Sequence, residues 1–282
     1  MKVILAETAG FCMGVRRAVD ATMELVEQGN GEIHTLGPLI HNPQVLDLLK
    51  GRGVDILTEI PEKVSGTVII RAHGVPPYQE KQLVRAGATI KNATCPRVIK
   101  VQVIINKYRK RDFFTVIIGD RNHAEVDGLL GYAGNMGVVV SNEKDVAALR
   151  ISGPYIIVSQ TTQDQLSFTR LSNMVLEKFP DGKVFNTICD STSKRQQEVR
   201  QLCGDVDAMI VVGGRSSANT RRLGDVARSM GCPVYSIETE EELDCRDLVR
   251  YDRVAVTAGA STPVWMIDRV VAALEGFEEG KC

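Results

Sequence analysis

Residues 88–108 read ATIKNATC followed by PRVIKVQVIINKY, an extended segment that ends in Cys95 and turns at once into a helical pattern. The passage recurs as KVILAETAGFC (2–12) leading into GVRRAVDATMELV (14–26), and as KVFNTIC (183–189) leading into DSTSKRQQEVRQL (190–202). Val15, Ala18, Val19, Thr22 and Val26 follow one helical stripe, and Val98, Val101, Ile105 and Tyr108 follow another. Pro96 stands where a first helical turn accepts proline, because that position has no intrahelical partner for an N–H. Cys12, Cys95 and Cys189 therefore fall at the same point of three similar passages.

Three further landmarks recur in the same order. A strand-like run ends in glycine with a polar residue four positions later: Gly37 with His41, Gly119 with His123, Gly213 with Ser217. The glycines follow their cysteines by 25, 24 and 24 residues. Next, Thr58, Ser141 and Thr239 precede acidic residues and read as helix caps, at offsets of 46, 46 and 50. Last, the apolar runs TVIIRAHG, YIIVSQTT and RVAVTAGAST break into polar residues near His73, Thr161 and Ser261.

Apolar strands alternating with helical patterns imply α/β units with parallel sheets and crossover helices, about four strands in each. The repeat divides the chain into units 13–95, 96–189 and 190–282, with residues 1–12 returning to the centre. In such sheets ligands bind beyond the carboxyl ends of the strands, where all of these polar landmarks lie. Three units facing a common axis would bring the three cysteines together.

Composition limits the rest. In 282 residues, 34 Lys and Arg balance 35 Asp and Glu, so the long-range attraction used by nucleic-acid and anionic-membrane binders is missing. Neither partner is expected, and any anion must be held locally. No apolar run approaches the roughly 18 residues of a membrane-spanning helix, and the N-terminal stretch reads as a strand entering a loop, which points to the cytoplasm. Seven cysteines are an odd number for a disulfide framework, so the thiols are expected free or metal-bound.

One cysteine per unit suggests a three-thiolate site, since a helix start favours the thiolate. Such a site suits zinc or an iron-sulfur cluster. A buried small hydrophobe is the commoner fate of a free cysteine, and the threefold recurrence is what outweighs it here. The chain has no C-x-x-C, so the local ferredoxin and zinc-ribbon spacings are absent. Cys203, Cys232, Cys245 and Cys282 lack counterparts between units and read as structural or surface thiols. His41, His73 and His123 stand at strand ends and, with Ser217, Asn219 and Ser261, make a set suited to an anion; His34 reads as structural. The glycine-rich VVGGRSSANT (211–220) adds backbone donors for phosphate. Without a P-loop or a G-x-G-x-x-G, that phosphate is not expected to belong to a nucleotide. Glu125, two residues past His123, is placed as a proton donor near a metal would be, with Thr161 in SQTTQ to orient it.

These stretches together, AGFCMGVRRAV, TLGPLIHNPQV, IIRAHGVPP, ATCPRV, GDRNHAEVDGLLGY, SQTTQ, NTICDSTSKRQ, GGRSSANTRRL and AGASTP, resemble the 4-hydroxy-3-methylbut-2-enyl diphosphate reductase family across nearly the whole chain and in order. The resemblance implies a trefoil of three α/β units around a central 4Fe-4S cluster, ligated by Cys12, Cys95 and Cys189 and with one iron open. It also implies diphosphate binding by His41, His73, His123, Ser217, Asn219 and Ser261, service to the substrate hydroxyl by Glu125 and Thr161, and electrons from a ferredoxin or flavodoxin. Ala218, Ala124 and Val264 depart from the family's expected pattern, and Ala218 removes a hydroxyl from the phosphate side. Quinolinate synthase shares the three-cysteine plan but not these stretches. A zinc-dependent phosphohydrolase would use the same side-chain types and would be colourless. A structural or regulatory binding protein would not need three aligned ligand sets.

Overall fold

The computed structural model describes residues 1–29 and 31–277; Cys282 lies outside them. The elements run β1 (Lys2–Leu5), α1 (Met13–Glu27), β2 (Ile33–Leu36), α2 (Pro43–Gly51), β3 (Val54–Leu57), β4 (Thr67–Ile70), α3 (Pro77–Arg85) and β5 (Thr89–Asn92). They continue as α4 (Pro96–Arg109), β6 (Phe114–Ile118), α5 (Ala124–Ala133), β7 (Gly137–Val140), α6 (Glu143–Ala148), β8 (Tyr155–Ser159), α7 (Gln165–Lys178) and β9 (Lys183–Val184). The last are α8 (Asp190–Leu202), β10 (Ala208–Val212), α9 (Ala218–Ser229), β11 (Val234–Ile237), α10 (Cys245–Leu248), β12 (Arg253–Ala258) and α11 (Val264–Glu275).

The strands form three four-stranded sheets, ordered β3-β2-β4-β5, β7-β6-β8-β9 and β11-β10-β12-β1, with every pairing parallel. The topology is the same three times over, and β1 fills in the third sheet the place that β5 and β9 hold in the other two. In each sheet the order reverses between the first and third strands, so their carboxyl ends flank a switch point where α/β sheets bind ligands. Register keeps those ends level: Leu36 faces Ile70, Ile118 faces Ser159 and Val212 faces Ala258.

The chain packs as two compact units, Met1–Val15 with His41–Val45 and Asp190–Cys282, and Arg16–Ile40 with Leu46–Cys189. In the first, alternate residues of β10 serve two cores: Ala208, Ile210 and Val212 meet α11 residues Ile267, Val270 and Leu274 on one face, while Met209 and Val211 meet Val199 and Leu223 on the other. In the second, Val116, Ile118 and Ile157 pack with Phe168 and Leu171, and Ile117, Ile156 and Val158 pack with Ile105 and Leu129. Sheets covered on both faces need unbroken apolar strands, which is why these segments show no polar alternation.

Two cap expectations fail. No helix follows Thr58, since residues 58–66 run as irregular chain to β4. Asn142 caps α6, accepting from Asp145 N at 3.1 Å, while Ser141 turns its hydroxyl to Gly119 O. Asn outcompetes Ser here because its carbonyl reaches the third N–H. Thr239 does cap, in a capping box with Glu242. Cys245 is disulfide-bonded, against the expectation that every thiol is free or metal-bound. Burial pushes the Cys203 thiol up to about 12, with Cys232 beside it adding to the shift, and both sit in the β10–α9 core as structural thiols.

Candidate functional site

Each candidate cysteine is anchored in the same way. Two residues past the third strand of each sheet, a backbone carbonyl accepts from the cysteine N–H of that repeat: Ala72 O from Cys95 at 2.9 Å, Thr161 O from Cys189 at 2.9 Å and Ala260 O from Cys12 at 3.1 Å. The sulfurs then sit at helix starts. Cys95 is the N-cap of α4 with Pro96 behind it, Cys189 directly precedes α8, and Cys12 Sγ accepts from Val15 N at 3.5 Å. Unpaired N–H groups of a first turn are suited to an electron-rich sulfur. None of the three is in a disulfide, and all are half-buried.

In the unit that holds β2 to β9, His73 and His123 meet edge to face, with ring centroids 5.5 Å apart. His123 caps α5, and its Nδ1 accepts from Glu125 N at 3.2 Å. A neutral ring with an accepting Nδ1 carries its proton on Nε2, so His123 is poised as a donor. Glu125, 2% exposed, receives Thr161 N on Oε1 at 2.6 Å and Thr161 Oγ1 on Oε2 at 2.7 Å. The Cys189 anchor and the Glu125 anchor are therefore the same residue, Thr161. Arg71 donates to Gly74 O at 3.3 Å and braces the His73 turn. Burial lowers the pKa of Arg71 and raises that of Asp127, and their mutual attraction works against both shifts. Gly74 is required in that turn: its φ is +75° and a Cβ would stand 2.6 Å from Gln102 Nε2.

In the unit that holds β10 to β12, the carbonyl of His41 accepts from Ser261 Oγ at 3.0 Å. Gly214 lies against the same carbonyl, 2.5 Å from where its Cβ would be, so only glycine allows this approach. Ser217 caps α9, accepting from Thr220 N at 3.3 Å. In the first turn of that helix Asn219 is 4% exposed, and its Nδ2 is buried without a hydrogen-bond partner among the described residues. An unmet buried donor costs about 1 to 3 kcal/mol, a cost that a ligand oxygen would remove. The site residues thus fall into an acid-hydroxyl pair beside Cys189, a histidine pair beside the Cys95 anchor, and a donor set at the start of α9.

A family model described as LytB protein matches residues 3–275. The chain belongs to the LytB protein family. Curated LytB relatives named 4-hydroxy-3-methylbut-2-enyl diphosphate reductase include one from Geobacter sulfurreducens, 43% identical over 284 residues that cover 100% of this chain and 99% of the relative. One from Aquifex aeolicus is 40% identical, covering 99% and 98%. Among solved structures, the E-1-hydroxy-2-methyl-but-2-enyl-4-diphosphate reductase from Plasmodium falciparum matches with a TM-score of 0.92 at 28% identity, over 96% of this chain and 87% of that one. A second, described as the terminal enzyme of the non-mevalonate pathway, matches with a TM-score of 0.71 at 40% identity over 98% and 99%.

For a LytB chain the donor chemistry is consistent. Three thiols outside any disulfide, in three equivalent positions, suit an iron-sulfur cluster, and the two thiols that burial keeps protonated, Cys203 and Cys232, belong to a core instead. Of the departures from the family pattern, Ala218 is buried in the first turn of α9, Ala124 opens α5, and Val264 is exposed at the start of α11. Sequence reasoning missed Arg71 and Asp127, whose signal is an Arg two residues before His73 and an Asp two after Glu125. It also missed Asn42, fully buried and capping α2 through Val45 N at 3.0 Å, in the stretch IHNP that already contained His41.

Proposed function

We propose that the chain reduces 4-hydroxy-3-methylbut-2-enyl diphosphate to isopentenyl and dimethylallyl diphosphate. The reaction breaks the allylic carbon-oxygen bond, consumes two electrons and two protons, and releases water. The observation that carries the reading is the identical anchoring of Cys12, Cys95 and Cys189 in a chain that matches LytB reductases from end to end. Family members are iron-sulfur enzymes. The repeat supports three units, 13–95, 96–189 and 190–282 with 1–12 returning, that contribute one thiolate each. When bound, a 4Fe-4S cluster with three cysteine ligands would supply electrons singly and an open iron to polarise the hydroxyl.

The chain's own residues do the rest. His41, His73, His123, Ser217, Asn219 and Ser261 hold the diphosphate, with His123 Nε2 and Asn219 Nδ2 as donors to its oxygens. This grip fixes the allylic end at a distance from the charged group and lowers the entropy cost of reaching the reacting geometry. Glu125 delivers a proton to the departing hydroxyl, and Thr161 orients the carboxyl by donating to it while its Oγ1 accepts from the substrate hydroxyl. Ferredoxin or flavodoxin supplies the electrons, and the cytoplasm is the setting. Among the described residues no helix is long and apolar enough to cross a membrane.

Anaerobic purification with iron, sulfide and zinc analysis, followed by a dithionite-driven assay, tests the reading. Brown protein with iron, sulfide and product formation is expected. Colourless protein with stoichiometric zinc and no reduction of substrate overturns it.

A further inference from the structure

The segments leading to the three cysteines are not held alike. In the second repeat Asn92 Oδ1 accepts from Thr94 N at 2.9 Å, and in the third Asn186 Oδ1 accepts from Ile188 N at 3.1 Å. Each is a local turn set by an asparagine three residues before the cysteine. The first repeat has Ala9 at that place and a longer irregular run from Ala6 to Cys12, so no such asparagine turn can form there. Its partners come from α8. Glu198 Oε1 accepts from Glu7 N at 2.6 Å, and Oε2 accepts from Thr8 N at 3.0 Å and also from the Thr8 hydroxyl. One turn earlier on the same helical face, the buried Arg195 donates from Nη2 to Gly10 O at 2.6 Å. Gly10 has φ +104°, a conformation other residues rarely adopt, so glycine is what lets the chain bend where Arg195 takes its carbonyl.

We infer that Arg195 and Glu198 are positioning residues for Cys12: they replace, from α8, the asparagine turn that the other two cysteine segments carry within themselves. The inference rests on the reading of Cys12 as a cluster ligand. Helix α8 begins at the residue after Cys189, so one rigid element sets the segment of one ligand while its N-terminus follows another. Charge assistance suits the task. The carboxylate gathers two backbone N–H groups that have no other partner among the described residues, and the guanidinium takes a carbonyl on the other side of the bend. The contacts are made by the protein's own side chains and backbone.

The test uses the full chain. Hydrogen exchange of the cluster-free protein is compared for wild type, Glu198→Gln, Arg195→Lys and Thr8→Val, and the electron paramagnetic resonance spectrum of each is recorded after anaerobic reconstitution. Glu198→Gln is expected to speed exchange at Glu7 and Thr8 by about tenfold or more while leaving β10 and β12 protected. It is also expected to change the spectrum and lower iron retention. Thr8→Val, which removes only the hydroxyl contact, keeps the protein folded if the charged variants do not fold, and is expected to shift exchange and spectrum less in the same direction. Unchanged exchange across residues 6–12 in the folded variants overturns the clamp. Faster exchange with a wild-type spectrum, when Cys12→Ser does alter it, overturns the positioning role alone. A wild-type spectrum in Cys12→Ser overturns the ligand reading instead.

Discussion

Thr161 occupies both carboxylate oxygens of Glu125, giving its N–H to Oε1 at 2.6 Å and its hydroxyl to Oε2 at 2.7 Å, while its own carbonyl accepts from Cys189 N at 2.9 Å. One threonine therefore ties the proposed acid to the segment of a proposed ligand. A carboxylate so held is oriented before substrate arrives.

Glu125→Gln is expected to lower turnover by roughly 10²-fold or more, the usual loss for a general acid, with iron content and substrate affinity retained. Gln preserves the fold because its carbonyl can still accept from Thr161 N while its amide donates to the threonine oxygen. Steady-state rates with iron analysis decide it; normal turnover with a normal pH profile makes Glu125 a bystander.

Substitution of Cys12, Cys95 or Cys189 by Ser is expected to lower iron per chain and abolish activity, whereas Cys203→Ala and Cys232→Ala retain both. The core thiols cost only packing, about 1 kcal/mol or less for so small a truncation. Equal iron in all five variants would remove the three cysteines from the site.

Asn219→Ala should separate binding from stability. Its Nδ2 is buried without a partner, so truncation is expected to leave the melting temperature unchanged or slightly raised while KM for the diphosphate rises about tenfold, the value of one lost hydrogen bond to a charged group. An unchanged KM would take Asn219 out of the diphosphate clamp.

Because burial pushes the Cys203 thiol up to about 12 from an ordinary 9.0, the native state keeps this proton after the unfolded chain has lost it. The unfolded state binds fewer protons in that window, so stability falls as pH rises from about 9 toward 12. Urea titrations of Cys203→Ala should show a shallower alkaline loss than wild type. Iodoacetamide at pH 8 is expected to leave Cys203 unmodified in the folded protein, since roughly 0.01% of such a thiol is ionised there.

Much of this was legible because repetition is a one-dimensional property. The recurrence of Cys12, Cys95 and Cys189, the glycines 25, 24 and 24 residues beyond them and the uncharged strand interiors specify parallel α/β repeats without any knowledge of packing. Pro96 marked the start of α4 for a purely local steric reason. Local signals failed where two residues competed for one role, as when Asn142 displaced Ser141 from the α6 cap, or where a threonine and acidic residues were followed by no helix, as at Thr58.

The sequence by itself determined the repeat, the fold class and the residue types of the site, because hydrophobic periodicity and turn chemistry act between neighbours in the chain. Only the tertiary structure decided which contacts hold those residues. That Ala72, Thr161 and Ala260 present equivalent carbonyls to the three cysteines, that Thr161 takes both oxygens of Glu125, and that Glu198 grips a loop 190 residues away depend on side chains and backbone groups meeting across the fold. Such pairings follow from buried polar groups needing partners, and the partner a group finds is set by which strand ends the sheet order makes adjacent.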